Sequence, residues 1–259
     1  MGIYSVLDSR IRRMTMSWMR TLGRVGVVSV VGFSMEDVLR KPMRRIAVAV
    51  IALALLSPLG ADAQEVEVSA NAGWVSQYFY RGILQKTSSA SAGVDVGIGA
   101  VSFGTWLADV GDGAEIDLFG AVGGEVGGGV SLSVGGTAYL YTGEFDDTYV
   151  EANLGAGYGP LSLEVSFGQY ENFGAGTLDY VFVGVTAEHE GFYGTVGGFA
   201  GDFSGNYGEV GYGFSAAELD FTISGIVNDS DLSGLLDGSG APTPGVTLVF
   251  GVGKSFSIR

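Results

Sequence analysis

The chain has no cysteine, five prolines and one histidine among 259 residues. Without cysteine there is no disulfide framework and no thiol nucleophile or thiolate metal site. The single histidine, His189 in "AEHEGF" at a short turn, offers little for general-base catalysis or zinc ligation. The glycine-rich "GGEVGGG" at 123–129 lacks the lysine and the following helix of a phosphate loop. Basic residues are scarce where it matters: beyond residue 63 only Arg81, Lys86, Lys254 and Arg259 stand against 24 acids. Such an excess of negative charge repels phosphate backbones and excludes nucleic acid as a partner. No stretch after Gln64 reaches the roughly eighteen apolar residues of a spanning helix, and none keeps a helical period.

What the chain does have is a sharp division near residue 63. Nine of its thirteen bases lie before that point. Residues 43–63 read as Arg44-Arg45, an apolar run from Ile46 to Leu59, then Ala61-Asp62-Ala63, the order of a secretory signal peptide with a small-residue cleavage site. Residues 1–42 precede a complete signal and read as an over-extended start or a leader. The folded part is therefore expected at 64–259.

That part alternates. In "LSLEVSFGQY", Leu161, Leu163, Val165 and Phe167 share one face, and Ser162, Glu164, Ser166 and Gly168 the other. A period of two marks a strand. Twelve such runs are expected, at about 66–80, 90–99, 101–109, 114–122, 130–141, 148–158, 161–170, 178–188, 192–200, 207–215, 218–228 and 245–257. In "YVFVGVTA", 180–187, the faces cannot be assigned from the pattern. Connections of odd rank, from "ILQKTSS" to the long segment 228–244, are mostly longer than those of even rank, "GGEVGGG" excepted. An even strand number with long loops at one end and tight turns at the other is the pattern of an outer-membrane barrel. A chain with such strands and no apolar helix can cross lipid only as a closed barrel, because every backbone polar group needs an internal partner there. The expected fold is all-β: a transmembrane antiparallel up-and-down β-barrel of about twelve strands, following a cleaved signal peptide. Tyrosines near strand ends, among them Tyr78, Tyr80, Tyr170, Tyr180 and Tyr207, fit interfacial girdles.

The stretch "VSQYFYRGILQKTSSASAGVDV", with "FGTWLADV" and "AEIDLFGAVGGEV" after it, resembles the TorF family of bacterial porins. The family's Ser-x-Tyr-x-x-Arg-Gly element falls on Ser76, Tyr78, Arg81 and Gly82, its Gly-x-Trp on Gly104 and Trp106, and its Glu-x-Asp element on Glu115, Asp117, Phe119 and Gly120. Phe119 replaces the commoner tyrosine, and Leu84-Gln85-Lys86 departs from the pattern. The resemblance implies an outer-membrane location and a pore role, without a substrate.

If the apolar faces meet lipid, the polar faces line a lumen. They carry Glu67, Asp95, Glu115, Asp117, Glu151, Glu164, Glu209 and Asp220, with Arg81 as their one base. An acidic lumen with low-dielectric walls concentrates cations. The expected function is passive diffusion of small hydrophilic solutes, cations among them; a non-conducting barrel serving as envelope scaffold or adhesin, with 228–244 as binding element, is the alternative. Arg81 is expected to pair with Glu115 and Asp117 at the mouth, bracing it. Outer-membrane lipid and the barrel-assembly machinery are the expected partners, and no catalytic residue, cofactor or metal ligand is assigned.

Overall fold

The computed structural model describes residues 66–236 and 238–258; the leader and signal segments assigned to 1–63 lie outside the described residues. Twelve antiparallel strands close into one barrel. They are β1 (Val66–Tyr80), β2 (Ile83–Ile98), β3 (Val101–Gly111), β4 (Gly113–Gly127), β5 (Val130–Tyr141), β6 (Tyr149–Tyr158), β7 (Leu161–Tyr170), β8 (Leu178–His189), β9 (Phe192–Gly201), β10 (Gly205–Ala216), β11 (Leu219–Asn228) and β14 (Gly245–Ser257). Between β11 and β14 lie a one-turn helix, α1 (Ser230–Ser233), and a two-stranded ribbon, β12 (Leu235–Leu236) with β13 (Pro242–Thr243). Each barrel strand pairs with its sequence neighbour, and β1 meets β14 from Ser69↔Ser257 to Val75↔Gly251. Closure removes the open edges that a flat sheet would leave.

The barrel is inside-out relative to a globular core. Leu154, Leu163, Phe167, Val183, Val185, Val210, Ile223, Leu248 and Phe250 are exposed on its outside, while Asp95, Glu115, Asp117, Glu151, Glu209 and Asp220 are buried. Apolar residues out and carboxylates in is stable only where the surroundings are less polar than the lumen. The fold is thus that of a transmembrane barrel of the outer-membrane type. At one end all five connections are two-residue turns: 99–100, 128–129, 159–160, 190–191 and 217–218. Three of them have both residues at positive φ, Gly128–Gly129, Glu190–Gly191 and Ala217–Glu218, which matches the twist of the strands they join. The opposite end carries the longer connections, 142–148, 171–177 and 229–244.

Four details depart from the sequence reading. "GGEVGGG" is no loop: β4 runs on to Gly127 and pairs through Glu125↔Ser131 and Gly127↔Val130. Glycines carry no side chain to show alternation, yet their backbone groups pair like any others. The connections after β1 and β3 are tight, leaving only 81–82 and 112 outside strands, and "ILQKTSS" is the start of β2. In β8, Tyr180, Phe182 and Gly184 are buried while Val183 and Val185 are exposed. The inward face there is itself aromatic, which erased the polar–apolar contrast. Most of the tyrosines expected as girdles face inward; Tyr78, Tyr170, Tyr180 and Tyr207 are all buried.

Lys254, on the outside of β14, donates to Glu218 Oε2 at 2.7 Å and lies 5.7 Å from the Phe256 ring centroid. The pair sits at the rim, where water competes with it. Lys254→Gln is expected to leave the temperature at which the folded gel band converts to the unfolded one unchanged; a marked fall would mean that the pair is shielded.

Candidate functional site

The site begins where a strand leaves the wall. β1 stops pairing with β14 at Val75↔Gly251, and β2 stops pairing with β3 at Ser91↔Ala108. Beyond those points β1 and β2 pair only with each other, so the hairpin of residues 76–90 departs from the barrel wall. A register shift between Tyr78 and Phe79 and a positive φ at Ser88 provide the bend. Ser76 Oγ accepts from the Phe250 amide at 2.9 Å, meeting the first donor of β14 that the departing strand exposes.

Both faces of the hairpin end are consequently enclosed. Tyr78 packs with Ala108, Val110 and Trp106 on one side, while Phe79 packs with Ile226 and Val249 on the other. At the tip, Arg81 (φ 47) and Gly82 (φ 83) form a left-handed two-residue turn that glycine tolerates and arginine does so at a cost. A Cβ on Gly82 would stand 2.5 Å from the Tyr207 Cβ, so the position is confined by space as well as by φ. Asn228 Nδ2 donates to the Gly82 carbonyl at 2.7 Å and fixes the tip to the end of β11.

From this tip Arg81, 5% exposed, reaches the far wall. It ion-pairs with Glu151 on β6 and Glu164 on β7, donates from Nη2 to Glu151 Oε2 at 3.0 Å and to Ser166 Oγ at 3.0 Å, and lies over the Phe182 ring at 4.2 Å. Glu151 is fully buried, and it also accepts from Tyr139 Oη at 3.1 Å, Asn153 Nδ2 at 2.9 Å and Tyr180 Oη at 2.8 Å. A buried ion pair offsets its desolvation only when its remaining atoms are bonded as well, and Glu151 meets that condition. The expected pairing of Arg81 with Glu115 and Asp117 is therefore wrong. That reading placed Arg81 on the wall beside them, whereas the bent hairpin carries it across the lumen. Glu115 instead accepts from Tyr78 Oη at 3.0 Å.

The other residues named from sequence also face inward, at separate places. Asp95 lies near Ser69 Oγ at 3.4 Å, Glu209 accepts from Tyr193 Oη at 2.6 Å, and Asp220 from Ser215 Oγ at 2.7 Å. Above the hairpin, aromatic rings fill much of the mouth: Tyr149 stacks on Tyr170 at 4.3 Å and Tyr180 on Phe203 at 4.8 Å. Leu232 of α1 packs on Phe182 and Tyr207, so α1 lies over the opening rather than standing away from it. Sequence reasoning missed Phe182, Tyr139 and Tyr207 as neighbours of Arg81. Below the hairpin a cavity of about 100 Å³ remains, bordered by β1, β10, β11 and β14 and by Trp106 and Asp117.

No family model matches the chain, so the TorF resemblance stays a likeness of motifs, and no curated protein matches it. Among solved structures, the COG4313 outer membrane channel of Pseudomonas putida F1 is similar at 10% identity over 76% of this chain and 98% of that one, with a TM-score of 0.42. OccAB3 of Acinetobacter baumannii is similar at 7% identity over 76% and 66%, TM-score 0.38. OpdK of Pseudomonas aeruginosa is similar at 12% identity over 66% and 58%, TM-score 0.35, so this chain spans less than three fifths of its length.

Proposed function

We propose that the protein is a narrow outer-membrane channel for small hydrophilic solutes, preferring cations. The observation that supports this most is the charge of the lumen: Asp95, Glu115, Asp117, Glu151, Glu209 and Asp220 are buried inside the barrel, and Arg81 is the one buried cation among the described residues. Arg81 is itself clasped by two acids, so the remaining carboxylates set the field along the path. The hairpin and the aromatic rings leave little open section, which fits slow passage of small solutes. The TorF resemblance points the same way. Neutralising Asp95 and Asp220 together, as Asp95→Asn with Asp220→Asn, is expected to lower the cation-to-anion permeability ratio toward unity in planar bilayers. An unchanged ratio would mean that these acids do not set the selectivity.

One observation favours a second reading, a non-conducting barrel acting as scaffold or adhesin: Leu232, Phe203 and the stacked tyrosines close over the mouth. Deleting 230–243 separates the two. A channel gains conductance when its cover is removed, whereas a scaffold stays silent and loses a partner.

A further inference from the structure

Asp117 differs from the other carboxylates beneath the hairpin. It is 3% exposed, it borders the cavity, and its Oδ1 has no hydrogen-bond partner among the described residues. Leaving a buried carboxylate oxygen unpartnered is costly unless something else meets it. The hydrogen bonds of Arg81 go to Glu151, Glu164 and Ser166, and none goes to Asp117. Glu115, two residues along β4 on the same face, lies within side-chain hydrogen-bonding reach of Asp117, and its Oε2 likewise meets no donor among the described residues, so the two acids face one site.

The neighbours of Asp117 are suited to an organic cation. Trp106 sits directly across the β3–β4 ladder from it, so the indole and the carboxylate stand side by side on the inner wall. Tyr78 meets Trp106 edge-on, ring centroids 5.4 Å apart. An ammonium group desolvated between a carboxylate and an aromatic face gains from both. A compact metal ion is less well served: no group of three acidic, histidine or cysteine ligands is assembled among the described residues. Gln77, Ser89 and Ser224 also border the cavity and can meet a short polar tail; Arg81 borders it as well, its charge held by Glu151 and Glu164, and Glu209 adds a further acid. At about 100 Å³ the space is smaller than the roughly 150 Å³ that admits benzene, which limits the occupant to about five heavy atoms.

We infer that this cavity is a binding subsite for small organic ammonium ions, with the cationic head held between Asp117 and Trp106. The inference rests on the cation-preferring channel reading, of which it names the substrate class. Ethylammonium and its uncharged isostere ethanol are the probes, titrated calorimetrically into protein purified in detergent from membranes of cells expressing the full chain. Ethylammonium is expected to bind measurably, ethanol not, and potassium at equal concentration to compete poorly. Asp117→Asn is expected to weaken binding about tenfold or more and Trp106→Leu by about fivefold, with each variant's folded band checked on a gel. Should Asp117→Asn not fold, the comparison of ethylammonium with ethanol on the unaltered protein still decides. Equal behaviour of the two probes, as a shared proton between Glu115 and Asp117 would produce, overturns the subsite. So does ethylammonium binding that is insensitive to both substitutions. Cation-selective currents without ethylammonium binding leave the channel standing and remove the subsite; binding in a barrel that never conducts does the reverse.

Discussion

Arg81→Ala is expected to lower the stability of the barrel by about 3–5 kcal/mol, because it leaves Glu151 fully buried with no cation beside it. Tyr139, Asn153 and Tyr180 still donate to that carboxylate, but none of them carries a compensating charge. The temperature at which the compact gel band converts to the unfolded one should fall accordingly. Adding Glu151→Gln to Arg81→Ala should recover part of the loss, since the stranded charge is then gone; a further loss in the double variant would contradict an ion-pair origin. Arg81→Lys should restore less than the full effect, because an ammonium cannot reproduce the fork that spans Glu151, Glu164 and Ser166. In planar bilayers the same Arg81→Ala variant should show larger or noisier current steps, since the hairpin tip loses its attachment to the far wall.

The second large effect concerns a glycine. A Cβ on Gly168 would stand 2.0 Å from the Tyr180 Cζ, far inside van der Waals contact with the ring. The ring cannot easily move aside, because its hydroxyl donates to Glu151 at 2.8 Å and its face stacks on Phe203 at 4.8 Å. Gly168→Ala is therefore expected to cost about 1–3 kcal/mol through overpacking and displaced rings. Gly225→Ala is the control. Its backbone is also in a strand, and nothing lies within 4 Å of its Cβ position, so the substitution should be neutral or slightly stabilising. Equal losses at both positions, read from the same band-conversion temperature, would mean that the cost arises from the strand backbone rather than from the Tyr180 contact.

Most of the wall was legible in the sequence. Alternation in stretches such as 161–170 reports directly which face meets lipid, and the strands from β5 onward lie within a few residues of where that pattern puts them. Glycine hid the end of β4, and inward aromatics hid the faces of β8. The hairpin of 76–90 was less legible for a different reason. Alternation assigns a residue to one side of a strand but carries no information about where the strand itself bends. Tyr78 and Tyr80 thus read as girdle tyrosines at a strand end, although Tyr78 touches Glu115 and Tyr80 bonds Tyr139 inside the barrel. The same bend decides the partner of Arg81. Its type and its inward side were readable; its reach to β6 and β7 depends on contacts far apart in sequence.

An acidic lumen narrowed by an inward hairpin has a direct electrical signature, which single-channel recording of the unaltered protein in a salt gradient reads. Discrete, small current steps and a reversal potential displaced toward that of the cation are expected. A barrel that is folded and heat-modifiable yet electrically silent, or one whose reversal potential favours the anion, would contradict it.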